Sequence, residues 1–125
     1  MNLNKNLPFL SRLRFAINGI NAAFKKESSL RLQGLATLIL FIFCLVVHPP
    51  IFWCALFIAM VALVLTLEMI NSAVEALLDR LHPERHESIG FVKDVLAGAT
   101  LIASIASVLV FLCYLYFQYL ISFSN

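Results

Sequence analysis

Three long apolar stretches leave this chain few folds to choose from. The first runs from about Ser29 to His48 and is unbroken at Leu35–Val47. The second begins at Ile51 and continues through Leu67, and the third covers about Val95 to Phe123. A bilayer crossing needs roughly 20 residues, since each helical residue rises about 1.5 Å and the hydrocarbon is about 30 Å thick. Each stretch reaches that length once its flanks are counted. In hydrocarbon every backbone N–H and C=O must find its partner inside the protein, and an isolated span does this only as a helix. At 62% hydrophobic and 13% charged, the 125 residues carry more apolar surface than a soluble domain of this size can hide. The expected fold is an all-α membrane protein forming one domain, residues 1–125. An amphipathic surface helix at about 9–26 precedes transmembrane helices at 29–48, 51–78 and 95–123.

The segment before the first span is too polar to cross. Residues 1–8 read as a ragged polar start. Leu10, Leu13, Ile17, Ile20 and Phe24 then repeat at spacings of three and four, which is one stripe of a helix, with Arg12, Asn18, Asn21 and Lys25 on other faces. Such a helix lies in the headgroup plane with its apolar side down. Residues 1–26 hold five Lys or Arg and no acid, a charge that suits an anionic cytoplasmic leaflet.

Charge also sets the orientation. The first connection, His48-Pro49-Pro50, has no Lys or Arg; the second, about Asp79 to Asp94, carries Arg80, Arg85 and Lys93. All nine Lys and Arg lie before or at the start of the first span, or between the second and third. The positive-inside rule therefore expects a cytoplasmic N-terminus and second connection, with the Pro-Pro turn and C-terminus opposite. The first 26 residues lack the apolar core and cleavage pattern of a secretory signal. Cys44, Cys54 and Cys113 all sit in apolar runs without C-x-x-C spacing, and read as small hydrophobes. Small residues recur at helical spacing in span two (Ala55, Ala59, Ala62) and span three (Ala99, Ala103, Ala106, Ser107), which lets helices approach closely.

The chemistry gathers at the end of the second span. Glu68, Asn71, Glu75 and Asp79 stand at i, i+3, i+7 and i+11, on one helix face. Glu68 follows a long apolar run and falls near the inner boundary of the hydrocarbon; Glu75 lies about 10 Å further on, toward water. Acids at such depth are costly and tend to be functional. A carboxylate just inside the membrane can accept a proton from a lipid hydroxyl. One at the water boundary can hold Mg²⁺, which takes oxygen ligands and completes its shell with phosphate and water. Lys93-Asp94 precedes span three at the same depth and offers a cation. His82 and His86 are spaced i, i+4, but no further Cys or His lies nearby to complete a zinc site. A net charge of +2, with no Arg-rich arm, gives no case for nucleic acid. There is no P-loop and no G-x-G-x-x-G.

The run Glu68-Met69-Ile70-Asn71-Ser72-Ala73-Val74-Glu75 with Asp79, then Glu84 and His86, then Lys93-Asp94, closely resembles the bacterial integral-membrane diacylglycerol kinase family, which includes a branch acting on undecaprenol. The resemblance covers about residues 12–120. It implies an ATP-dependent kinase acting on diacylglycerol in the bacterial inner membrane, a homotrimer with active sites shared between subunits. It implies Glu68 as the general base with Asn71 in support, and Arg31, Glu68 and Ala97 toward the lipid. It implies Glu27 and Glu75 as ligands of nucleotide-bound Mg²⁺, with Glu84, His86, Lys93 and Asp94 on ATP. Arg31-Leu32-Gln33-Gly34 departs from the Arg-Gln-Glu-Gly of the diacylglycerol branch, and Leu96-Ala97-Gly98 stands closer to the undecaprenol branch. Arg12 and Arg14 are the candidates for an N-terminal arginine that reaches ATP. The competing functions are a small transporter, which would place its acids near mid-span, and a non-catalytic interaction subunit, in which the acidic stripe would tolerate substitution.

Overall fold

The computed structural model describes residues 8–82, 84 and 86–124. The polar start at residues 1–7, Pro83 and Arg85 lie outside the described residues. Four helices follow in order: α1 (Phe9–Lys26), α2 (Ser28–Val47), α3 (Ile51–Leu81) and α4 (Glu87–Ser124). Three of them are long and apolar enough to span a membrane: α2, α3 and α4.

The breaks between helices have local causes. α1 ends where Glu27 turns extended, at φ −98° and ψ 122°. The Arg31 guanidinium folds back over this corner and donates to the carbonyls of Lys25 (2.9 Å) and Phe24 (3.3 Å). Those carbonyls belong to the last turn of α1 and have no partner within the helix, and a cation there also complements the helix dipole. Phe24 then packs on α2 across Gly34, where an added Cβ would come within 2.9 Å of the ring. α2 stops at His48, a left-handed residue at φ 52°, and Pro49-Pro50 cannot continue the helix.

Apart from Phe24, the apolar stripe of α1 is not spent on protein. Leu10 is 75% exposed, Leu13, Ile17 and Ile20 are exposed too, and α1 has no buried residue. A surface of this kind beside a membrane-spanning bundle fits lipid. The bundle itself has a thin interior: its buried apolar residues are Leu30, Phe57, Val64, Ala103 and Tyr114. The largest interface joins α3 to α4, and α1 touches both α2 and α3. Near the Pro-Pro turn, Tyr114 is sealed among the rings of Phe43, Trp53, Phe57 and Phe111, at centroid distances of 5.4 to 6.4 Å. Of the small-residue stripes, Ala103 is buried on α4, whereas Ala55, Ala59 and Ala62 all face outward from α3.

Helix lengths differ from the spans read in the sequence. α3 continues to Leu81 rather than ending near residue 78, and α4 begins at Glu87, well before Val95. Most of the expected second connection is therefore helix. The physical reason is that a helix needs no apolar side chains once it leaves the hydrocarbon; Arg80, Glu87 and Lys93 sit on helical turns that project from it. With 31 residues against 20, α3 extends about 16 Å beyond the start of α2.

Candidate active site

The acidic stripe of α3 keeps one helix face and changes environment along it. Glu68 is buried, 7% exposed. Asn71 and Glu75 are half-buried, and Asp79 is exposed. Counting back along the two arms from the Pro-Pro turn at equal rise, Glu68 comes level with Leu30, which is fully buried, just inside the first turn of α2. Glu27, at the α1–α2 corner, comes level with Asn71, between Glu68 and Glu75.

Hydroxyls along α3 and α4 are already committed. Ser72 Oγ donates to the Glu68 carbonyl at 2.9 Å, Thr100 Oγ1 to the Leu96 carbonyl at 3.2 Å, and Ser104 Oγ to the Thr100 carbonyl at 2.9 Å. Each bonds back along its own helix. Among the described residues, the Glu68 carboxylate has neither a hydrogen bond nor an ion pair. One turn on, Asn71 Oδ1 is buried without a partner, and so is Gln33 Oε1 on α2. Buried polar atoms in folded proteins are nearly always bonded, so each one left open needs a reason. Asn71 on α3 and Gln33 on α2 thus each carry a buried acceptor left open for a donor.

The water-facing end is built differently. Lys93 of α4 forms an ion pair with Asp79 of α3, and Glu75 is the second carboxylate acting on its ammonium. Beside this pair lies an open cavity of about 500 Å³ lined by Asp79, His82, Glu84, His86, Glu87, Ile89, Gly90 and Lys93. It unites Glu84, His86 and Lys93 of the predicted nucleotide set, and adds His82, Glu87 and Asp79. Asp94, Glu27 and Glu75 do not line it.

Arg31 occupies the α1–α2 corner, and Ala97 is exposed on α4, one turn past Lys93. Arg12 and Arg14 are exposed on α1. Gln33 is the functional candidate that periodicity passed over; its signal was a lone amide within an otherwise apolar helix. Among the described residues no three His, Cys, Asp or Glu stand together as a metal cluster. The oxygen donors nonetheless suit Mg²⁺, which takes one or two carboxylates from a protein and leaves its other positions to phosphate and water. Glu27 is half-buried and within 3.7 Å of the Lys26 ammonium.

Residues 14–115 match the model of the prokaryotic diacylglycerol kinase family. The chain belongs to that family. All the site residues from Glu27 to Ala97 fall inside the match. The chain is 35% identical over 95 residues to a diacylglycerol kinase of Escherichia coli (strain K12), which covers 76% of this chain and 78% of that protein. It is 33% identical over 94 residues to a diacylglycerol kinase of Haemophilus influenzae, covering 75% and 80%. Membership in the family makes the chain a bacterial membrane protein and an enzyme, a lipid kinase.

Proposed function

We propose that this family member phosphorylates diacylglycerol with ATP, yielding phosphatidic acid, at the cytoplasmic face of the bacterial inner membrane. The observation that carries the reading is Glu68, a buried carboxylate without a protein partner at the inner end of the spans. An acid without a partner within a membrane-spanning helix is costly, and its retention calls for a function. The hydroxyl of a lipid, held by its acyl chains in the same leaflet, meets a carboxylate at this depth. Glu68 accepts the hydroxyl proton while the oxygen attacks the γ-phosphorus of ATP; the bond from that phosphorus to the bridging oxygen breaks, and ADP leaves. Asn71, one turn on, orients the acceptor hydroxyl or the carboxylate.

Phosphoryl transfer depends on position and charge neutralisation. Among the described residues, the cavity beside Lys93 carries three carboxylates, from Asp79, Glu84 and Glu87, against one ammonium. A polyphosphate enters an acidic lining most readily as its Mg²⁺ complex. Glu75 and Glu27 would hold Mg²⁺, which when bound would neutralise phosphate charge. Glu84, His86, Lys93 and Asp94 then address the nucleotide, and Arg31 and Ala97 lie toward the lipid. The exposed stripe Ala55-Ala59-Ala62 supports packing against further copies of the chain, consistent with a homotrimer whose sites are shared. The grouping of Lys and Arg supports a cytoplasmic N-terminus.

Purified protein in mixed micelles with Mg²⁺ and γ-labelled ATP tests this. Label should pass into diacylglycerol. Transfer to undecaprenol alone would move the chain to the other branch of acceptors, toward which Leu96-Ala97-Gly98 leans; no transfer to either would overturn the kinase reading.

A further inference from the structure

The outer end of the α2–α3 hairpin holds two cysteines that the kinase chemistry does not use. Cys44 lies one turn before His48, where α2 ends, and Cys54 one turn after Pro50, where α3 begins. His48 donates its N–H to the Cys44 carbonyl at 3.0 Å, and Cys54 donates its N–H to the Pro50 carbonyl at 3.3 Å. The two residues thus stand at equal depth on opposing arms. Their side chains turn toward the same space between the arms. Both line one apolar groove of about 480 Å³ between α2 and α3. Cys54 Sγ also reaches the Pro49 carbonyl at 3.5 Å. Cys113, on α4, is exposed.

Two thiols at equal depth on the two arms of a tight turn, lining one groove, are placed to pair as a disulfide. They also lie at the end of the molecule away from every Lys and Arg among the described residues. In the orientation proposed above, that end faces the bacterial periplasm, an oxidising compartment. We infer that Cys44 and Cys54 form a reversible disulfide that staples α2 to α3 at the outer end of the hairpin.

The oxidant is of the protein-disulfide class on that side of the membrane. One cysteine thiolate attacks a sulfur of the oxidant's disulfide and forms a mixed disulfide, releasing one oxidant thiolate. The second cysteine thiolate attacks the first cysteine's sulfur, the Cys44–Cys54 bond forms, and the other oxidant thiolate departs. Two electrons pass to the oxidant, and the two thiol protons end on its dithiol. The staple closes the turn end of the apolar groove and holds the arms where only a short Pro-Pro turn connects them. The inference is independent of the lipid kinase chemistry and stands on the orientation.

The test counts thiols. Membranes holding the full chain are dissolved in SDS with excess N-ethylmaleimide, and the intact mass is read before and after reduction with dithiothreitol followed by a second treatment with excess N-ethylmaleimide. The expected result is one adduct before reduction, on Cys113, and three after it. Three adducts before reduction would overturn the inference. In Cys54→Ser the pair is broken, and two adducts are expected before reduction; continued protection of Cys44 would show that something other than Cys54 shields it and would overturn the pairing. In Cys113→Ser no adduct is expected before reduction, and two would overturn the inference as well.

Discussion

The ammonium of Lys93 on α4 pairs with the carboxylate of Asp79 on α3, joining the two long helices just beyond the hydrocarbon. Asp79 is 65% exposed and Lys93 33% exposed at the side chain, so solvent screens the pair and it adds little to stability. Its importance is positional: Asp79 fixes the ammonium at the wall of the cavity that also holds Glu84 and His86.

Lys93→Met should therefore leave the thermal unfolding temperature nearly unchanged and raise the KM for ATP by about tenfold, the equivalent of roughly 1.4 kcal/mol. Asp79→Asn frees the ammonium without removing it, and its effect on KM should be smaller. Equal losses in both variants, measured by initial rates in mixed micelles, would mean that the pair acts only as a unit.

Glu68→Gln keeps the shape of the side chain and removes its basicity. A general base contributes about 10²–10⁴-fold to rate, and kcat should fall within that range. The KM for ATP should stay within about twofold, because Glu68 lies about 10 Å along α3 from Glu75 and so away from the nucleotide end. A loss confined to KM would remove Glu68 from the base role.

Glu75→Gln and Glu27→Gln should each shift the Mg²⁺ concentration needed for half-maximal activity upward by at least about tenfold, with the chain still helical by circular dichroism. An unchanged Mg²⁺ titration in either variant would exclude that residue as a ligand. Glu84→Gln, as a comparison within the cavity, should leave the Mg²⁺ midpoint where it is.

Gly34 provides the seat for Phe24, and larger residues there should lift α1 from the bundle. Gly34→Ala meets only the far edge of a ring that can turn aside, and alanine also favours a helix by about 1 kcal/mol. Its effect should be small. Gly34→Leu overfills the contact, at a cost of about 1–3 kcal/mol, and should speed hydrogen exchange in α1 while sparing α3.

Tyr114 is 1% exposed and its hydroxyl has no partner. Tyr114→Phe removes a desolvated polar group and keeps the ring contacts. The variant should unfold at the same temperature or a higher one, by up to about 1 kcal/mol in stability. A clear loss of stability would reveal a bonding partner supplied by lipid or by another copy.

Much of this was legible along the chain. Apolar length fixed the number of membrane-spanning helices, and a spacing of three and four placed Glu68, Asn71, Glu75 and Asp79 on one face of α3. Both are properties of a single helix, which repeats itself and so writes its pattern into consecutive residues. The family resemblance pointed to Glu27, which no periodicity would choose.

What lies between helices was decided only by the tertiary structure. The pairing of Lys93 with Asp79, the closure of Arg31 over the end of α1, the sharing of one groove by Cys44 and Cys54 and the burial of Glu68 all depend on how far one helix slides and turns against another. That register is set by packing at the α3–α4 interface and by the geometry of the Pro-Pro turn. Neither leaves a mark at fixed spacing in the sequence. The ends of α3 and α4 were obscured for a related reason: beyond the hydrocarbon a helix keeps its backbone bonds while its side chains become polar, and hydropathy loses sight of it.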